Sequence, residues 1–161
     1  MKKSESILTV LEYDSIEELN AEDSWLLTEA RSATQFAYAP YSNFNVGAAG
    51  RLANGEIVIG SNQENASFPA GICAERVLLS SVASQHLNVT LDTIAISYNN
   101  LKGKSDSPIS PCGICRQSLA EYQQRTKSPI RLILSGMEGK VQIIENAGQL
   151  LPLAFGSEDL K

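Results

Sequence analysis

Residues 111–117 read PCGICRQ, with Cys112 and Cys115 three positions apart. A C-x-x-C pair can be a redox couple, half of a structural zinc site, or part of a catalytic one. Its company decides between them. Cys73 is the only other cysteine, and both Cys73 and Cys112 fall where a loop is expected to enter a helix. Helix N-termini carry unpaired N–H groups and about half a positive charge, which favours the thiolate that binds metal. If the two helix starts lie side by side, Cys73, Cys112 and Cys115 offer three sulfur ligands to zinc. A structural zinc takes four protein ligands, whereas a catalytic one keeps a position open for water. His86, the sole histidine, lies on the order of 20 Å beyond Cys73 along a helix, and reads as a polar residue closing that helix. Three ligands without a fourth point to an open site.

Glu75 gains meaning from that site. Two residues after Cys73, it sits near the metal in the same first helical turn, where a carboxylate can move protons between water and a leaving group. An isolated glutamate there would simply complement the helix dipole. Three thiolates leave one zinc with a net charge of −1, so Arg76 either donates to the sulfurs and offsets that charge or is a solvated helix arginine. Gln117 is expected to support the same network.

These residues need a scaffold. The chain has 161 residues, 43% hydrophobic and 19% charged, which fits one domain with a single core. A net charge of −5 and no clustered Lys/Arg argue against a nucleic-acid polymer as partner. No segment has the length of a membrane span. Glu12 and Asp14 interrupt the apolar start MKKSESILTV, so a cytoplasmic protein is expected. In such a reducing compartment, three cysteines suit metal or thiol chemistry better than disulfides.

Apolar spacing predicts a short strand within 5–13, a helix from Asp23 to about Tyr38, and strands at 46–52 and 56–62 around an Asn54-Gly55 turn. A helix over 72–85, a buried strand at 93–98 and a helix over 112–124 follow. Strands at 130–136 and 140–146 and a short helix near 147–151 complete the chain. That order predicts a single-domain α/β fold, an α-β-α layering with a mixed central sheet flanked by helices. Residues 1–21 read as an N-terminal extension that adds an edge strand or an interface element, and 22–161 as the domain proper.

Zinc-dependent nucleobase deaminases carry H-x-E…P-C-x-x-C, with three cysteines allowed as ligands. Here the residues are C-A-E at 73–75 and P-C-G-I-C at 111–115. The chain therefore resembles the cytidine deaminases that act on free nucleosides. YAPYSNFNVGAA (38–49), NQEN (62–65), ICAER (72–76), SPCGICRQ (110–117) and LLPLAFGSEDL (150–160) occur in that family's order. The similarity runs from about Ala30 to Leu160.

The resemblance implies zinc-dependent hydrolysis of cytidine and deoxycytidine to uridine or deoxyuridine and ammonia, in pyrimidine salvage. It implies one Zn²⁺ per subunit on Cys73, Cys112 and Cys115, with Glu75 as the proton carrier. By the same likeness Asn62 and Glu64 grip the ribose 3′-hydroxyl, and Phe44 packs against the base. The Ala74 N–H holds the base carbonyl, and the Ser110 carbonyl accepts from the 4-amino group. Phe155 resembles an aromatic that reaches a neighbouring subunit's site, which implies a homotetramer. The polar stretch 99–110 is longer than the family's usual connection and is expected to alter the mouth of the pocket.

Three other readings compete. A deaminase of modified nucleosides, of the blasticidin type, shares C-A-E and P-C-x-x-C but has little use for a ribose clamp at Asn62 and Glu64. A zinc-stabilised binding module would need a fourth protein ligand. A thiol–disulfide oxidoreductase would need only Cys112 and Cys115 and would give Cys73 and Glu75 nothing to do.

Overall fold

The computed structural model describes residues 1–161. Six strands form one sheet in the order β1-β6-β5-β4-β2-β3, namely β1 Leu11–Tyr13, β2 Phe44–Leu52, β3 Ile57–Ser61, β4 Leu91–Asn100, β5 Arg131–Ser135 and β6 Val141–Ile144. Only β4 and β5 run parallel, so the sheet is mixed. Helix α1 (Ala21–Ala33) covers one face; α2 (Ala74–Gln85) and α3 (Gly113–Thr126) cover the other. A cluster of 17 buried residues, with Leu78, Ile96, Leu119 and Leu132 among them, fills the α2/α3 side, and one of 8 fills the α1 side. Between these layers β4 is buried on both faces from Thr93 to Tyr98, which explains its unbroken apolar character.

Local chemistry sets the boundaries. Helix α1 starts at Ala21, ahead of the expected Asp23, because the Asn20 side chain caps it by accepting from the Asp23 N–H at 2.9 Å. Asp23 is buried and takes two hydrogen bonds from Arg131, at 2.7 and 2.8 Å, which fasten the helix start to β5. The α-helix stops at Ala33, short of the expected Tyr38, and gives way to a 3-10 turn over Thr34–Phe36. The strand expected within 5–13 shrinks to Leu11–Tyr13, since its partner β6 spans only four residues. Conversely, β4 runs on to Asn100, where it meets Phe44 at the start of β2. The Asn54-Gly55 turn stands as expected, with Gly55 at φ +86°.

Two glycines bring helices onto the sheet. A Cβ on Gly47 would collide with the Ala30 carbonyl oxygen and sit 2.6 Å from the Thr34 nitrogen, so glycine lets α1 lie against β2. A Cβ on Gly60 would meet the Ala74 carbonyl oxygen and come within 2.6 Å of the Leu78 nitrogen. Gly60→Ala must therefore lift the start of α2, the turn that carries Cys73 and Glu75. We expect that variant to lose about 1–3 kcal/mol in urea unfolding and to bind zinc more weakly than the parent in a chelator competition. Unchanged values in both would show that α2 moves freely over β3.

The 99–110 stretch does not hang over the sheet. Asn100 donates to the Ser105 hydroxyl at 2.9 Å, and the Glu138 N–H donates to the Ser105 carbonyl at 3.2 Å. Gly136 and Gly139 leave the room in which Ser105 and Asp106 press against the β5–β6 turn. Of this stretch only Ile109 and Ser110 line the cavity beside Cys73 and Cys112. No helix is long and apolar enough to cross a membrane.

Candidate active site

Helices α2 and α3 start next to each other on the same face of the sheet. Cys73 and Cys112 occupy their N-cap positions, both in extended conformation, at φ −76°, ψ 155° and φ −66°, ψ 169°. Neither side chain caps its own helix, which leaves both sulfurs free to face each other. Cys115, buried in the first turn of α3, completes the group. The sulfurs of Cys73 and Cys112 are 3.8 Å apart, those of Cys112 and Cys115 3.5 Å, and all three lie within 4.8 Å of one another. Zn–S bonds of about 2.3 Å in a tetrahedron would set sulfurs roughly 3.8 Å apart. The thiols are thus already spaced for one zinc ion, and none forms a disulfide.

The three thiols interact strongly. Hydrogen bonding with Cys115 lowers the Cys73 thiol to about 6 despite its partial burial, and the same interaction pushes Cys115 upward. A cluster that gives up its first proton so readily suits a divalent cation. Arg76 makes no hydrogen bond to any sulfur; its guanidinium lines a cleft between α2 and α3, yet its charge still favours the Cys73 thiolate. Gln117 departs from expectation. Its amide donates to the Phe155 carbonyl at 2.8 Å, so it holds the C-terminal segment and not the thiols. The guanidinium that steadies the cysteine loop belongs to Arg116, which donates to the Pro111 carbonyl at 2.8 Å and to the Leu150 carbonyl at 3.4 Å. Sequence reading passed over Arg116. Its place one residue after Cys115 was the only available signal.

Beside the thiols opens a cavity of about 310 Å³, lined by Val46, Asn62, Glu64, Cys73, Glu75 and Ser110 among others. Glu75 is 5% exposed, and burial raises its carboxyl above the usual range. Ala74 is the first residue of α2, where a helix has no internal partner for its N–H. Glu64 also lines the cavity. Hydrogen bonding to Ser42 and to the N–H groups of Tyr41 and Ser42, at 2.9 and 3.3 Å, holds its carboxyl below the ordinary value.

Asn62 also has a partner role that its spacing did not disclose. Its amide accepts from the Val46 N–H at 2.7 Å and donates to the Phe44 carbonyl at 3.0 Å, pinning the start of β2. Phe44 itself is not among the cavity-lining residues; it is attached to them through Asn62 and Val46. Phe155 lies outside the cavity with 59% of its surface exposed. His86 closes α2, as expected, with its Nδ1 3.0 Å from Glu56.

Residues 20–128 match the family described as "Cytidine and deoxycytidylate deaminase zinc-binding region". A cytidine deaminase of Halalkalibacterium halodurans is 37% identical over 135 residues, covering 84% of this chain and 95% of the relative. One from Mycoplasma genitalium is 42% identical over 105 residues, covering 64% of this chain and 75% of that protein. Among solved structures, the cytidine deaminase of Burkholderia pseudomallei superposes with a TM-score of 0.70 at 38% identity, over 85% of this chain and 100% of the other.

Proposed function

The chain belongs to the cytidine deaminase family, and we propose on that footing that it hydrolyses free cytidine and deoxycytidine to uridine and deoxyuridine, releasing ammonia, as a step of pyrimidine salvage. The observation that carries this reading is the convergence of three thiols beside one buried carboxylate in an open cavity. One Zn²⁺ per subunit fits Cys73, Cys112 and Cys115. Bound there, zinc supplies Lewis acidity, which brings the ionisation of water toward neutral pH.

The chain's own groups do the rest. Glu75 takes a proton from the attacking water and passes it to N3 of cytosine. It then takes the hydroxyl proton of the resulting C4 adduct and delivers it to the amine, which leaves as ammonia as the C4 carbonyl forms. Burial suits it to the task, because a carboxyl raised above its ordinary range accepts a proton more readily than a solvated glutamate does. The Ala74 N–H faces the base carbonyl, and the Ser110 carbonyl accepts from the 4-amino group. Phe44 packs against the base. Glu64, ionised, and Asn62 bind the ribose 3′-hydroxyl.

An ultraviolet assay with cytidine and deoxycytidine, run beside zinc analysis of the purified protein, tests the reading. Loss of the 4-amino absorbance with near one zinc per chain supports it; a zinc-loaded protein that leaves both nucleosides untouched refutes it. Glu64→Gln is expected to raise KM for cytidine by about tenfold while kcat changes little, since one charged hydrogen bond is worth on the order of 1.5–3 kcal/mol. An unchanged KM would remove Glu64 from the ribose site.

We read the active form as a homotetramer in which Phe155 reaches a neighbouring site. Support comes from large apolar side chains left exposed around the cavity and C-terminus, including Tyr41, Phe68, Ile114 and Phe155. Light scattering should give a mass four times that of one chain, and a monomer would overturn this. Residues 22–161 are taken as the deaminase domain, which is in keeping with a family match that begins at residue 20, and residues 1–21 as an extension. A cytoplasmic setting suits three closely spaced thiols that must stay reduced to hold metal.

A further inference from the structure

We propose that Tyr98 is a positioning residue for the nucleoside base, acting through the ring of Phe44. This rests on the reading that Phe44 packs against the base. Tyr98 lies on β4 opposite Val46, and its side chain falls on the same face as Ile94 and Ile96, the side that carries α2, α3 and the three thiols. The Tyr98 and Phe44 rings stack with centroids 4.7 Å apart and planes inclined by 14°. Tyr98 is 6% exposed, so it is a fixed surface and not a partner in motion.

Phe44 needs such a surface. Its N–H donates to the Ser42 hydroxyl at 3.1 Å and its carbonyl accepts from Asn62 at 3.0 Å, so the backbone is held on both sides. Those bonds leave its χ angles free, and the aromatic contact with Tyr98 is what selects one ring orientation. Polar neighbours would not do this: Asn99 and Asn100 follow directly and pair with Asn45 and Phe44 through backbone alone. A ring ordered in advance presents its free face to the base without a rotamer cost at binding. Such an effect is spent on binding and appears in KM, while kcat, which depends on Glu75 and the metal, stays in place.

The test is a double-substitution cycle on zinc-loaded protein. Tyr98→Leu is expected to raise KM for cytidine about three- to tenfold, the range of an aromatic pair, with kcat and zinc content within twofold. Tyr98→Phe, which keeps the face and drops the hydroxyl, should restore the parent KM. In a Phe44→Leu background, Tyr98→Leu should add nothing further, because its effect travels through the missing ring. If Tyr98→Leu does not fold, Tyr98→Met takes its place in the cycle.

A merely structural tyrosine would lower the melting temperature or the active fraction and leave KM alone, and that result overturns the proposal. So does a Tyr98→Phe variant as impaired as Tyr98→Leu, or KM effects that multiply in the double variant. If Phe44→Leu itself leaves KM unchanged, the reading of Phe44 as the base platform fails first. If Phe44→Leu raises KM and Tyr98→Leu does not, only the role of Tyr98 fails.

Discussion

Glu75→Gln is expected to keep its fold and its zinc while kcat for cytidine falls by about a thousandfold, within the range that a positioned acid–base group contributes. The amide is nearly isosteric and stays in the same buried place, but it cannot take up or release a proton. KM should move by only a few fold, because Glu75 is proposed to act on the base, whereas the ribose is assigned to Glu64 and Asn62. Metal analysis and turnover of one preparation decide the matter, and a variant with normal kcat would remove Glu75 from the reaction.

A stability measurement separates this from damage to the fold. In the metal-free protein, burial raises the Glu75 carboxyl, so the native state holds that proton more tightly than the unfolded chain does. The ionised group then subtracts from stability, increasingly as pH climbs from the unfolded value through the folded one. Glutamine carries no such charge. Metal-free Glu75→Gln at pH 7 should therefore resist urea at least as well as the metal-free parent, even as its activity collapses.

The grouping of the three thiols with Glu75 was legible from sequence because it is written in short spacings. Cys112, Cys115, Cys73 and Glu75 sit at helix starts, and a helix start fixes the direction of its side chains over a few residues. The layered fold was legible for a similar reason, as β4 and the apolar faces of α2 and α3 declare themselves by local periodicity. What stayed hidden were the contacts that side chains make with main-chain groups, most of them well separated along the chain. Asn62 pins Phe44 and Val46, Arg116 grips Pro111 and Leu150, and Gln117 turns to Phe155. Each is a side chain meeting a main-chain group, and main-chain groups leave no mark in residue type. The docking of Ser105 and Asp106 onto Gly136 and Gly139 escaped for a related reason. The glycines were visible, but the two segments they bring together are about thirty residues apart.

Replacing any one of Cys73, Cys112 or Cys115 by serine is expected to lower turnover by at least about a thousandfold, since water that is not acidified by the metal is a far weaker nucleophile at neutral pH. Zinc content should fall in each variant. Cys115→Ser should also cost stability, because Cys115 is fully buried whereas Cys112 is exposed. Removing the metal from the parent with a chelator should abolish activity in the same way, and adding zinc should restore it. The fold, however, ought to survive. None of the three cysteines belongs to either buried apolar cluster, and those clusters of 17 and 8 residues hold both helical layers to the sheet. The chelated protein should thus keep its far-ultraviolet circular dichroism and lose only the part of its melting temperature that binding supplies by mass action. A small domain whose zinc is structural behaves differently, since there the metal's binding energy is the folding energy and chelation unfolds the chain. Loss of secondary structure on chelation would accordingly reassign these thiols from a reacting centre to a structural one, whereas a folded, inactive and zinc-rescued protein is what a metal held for catalysis requires.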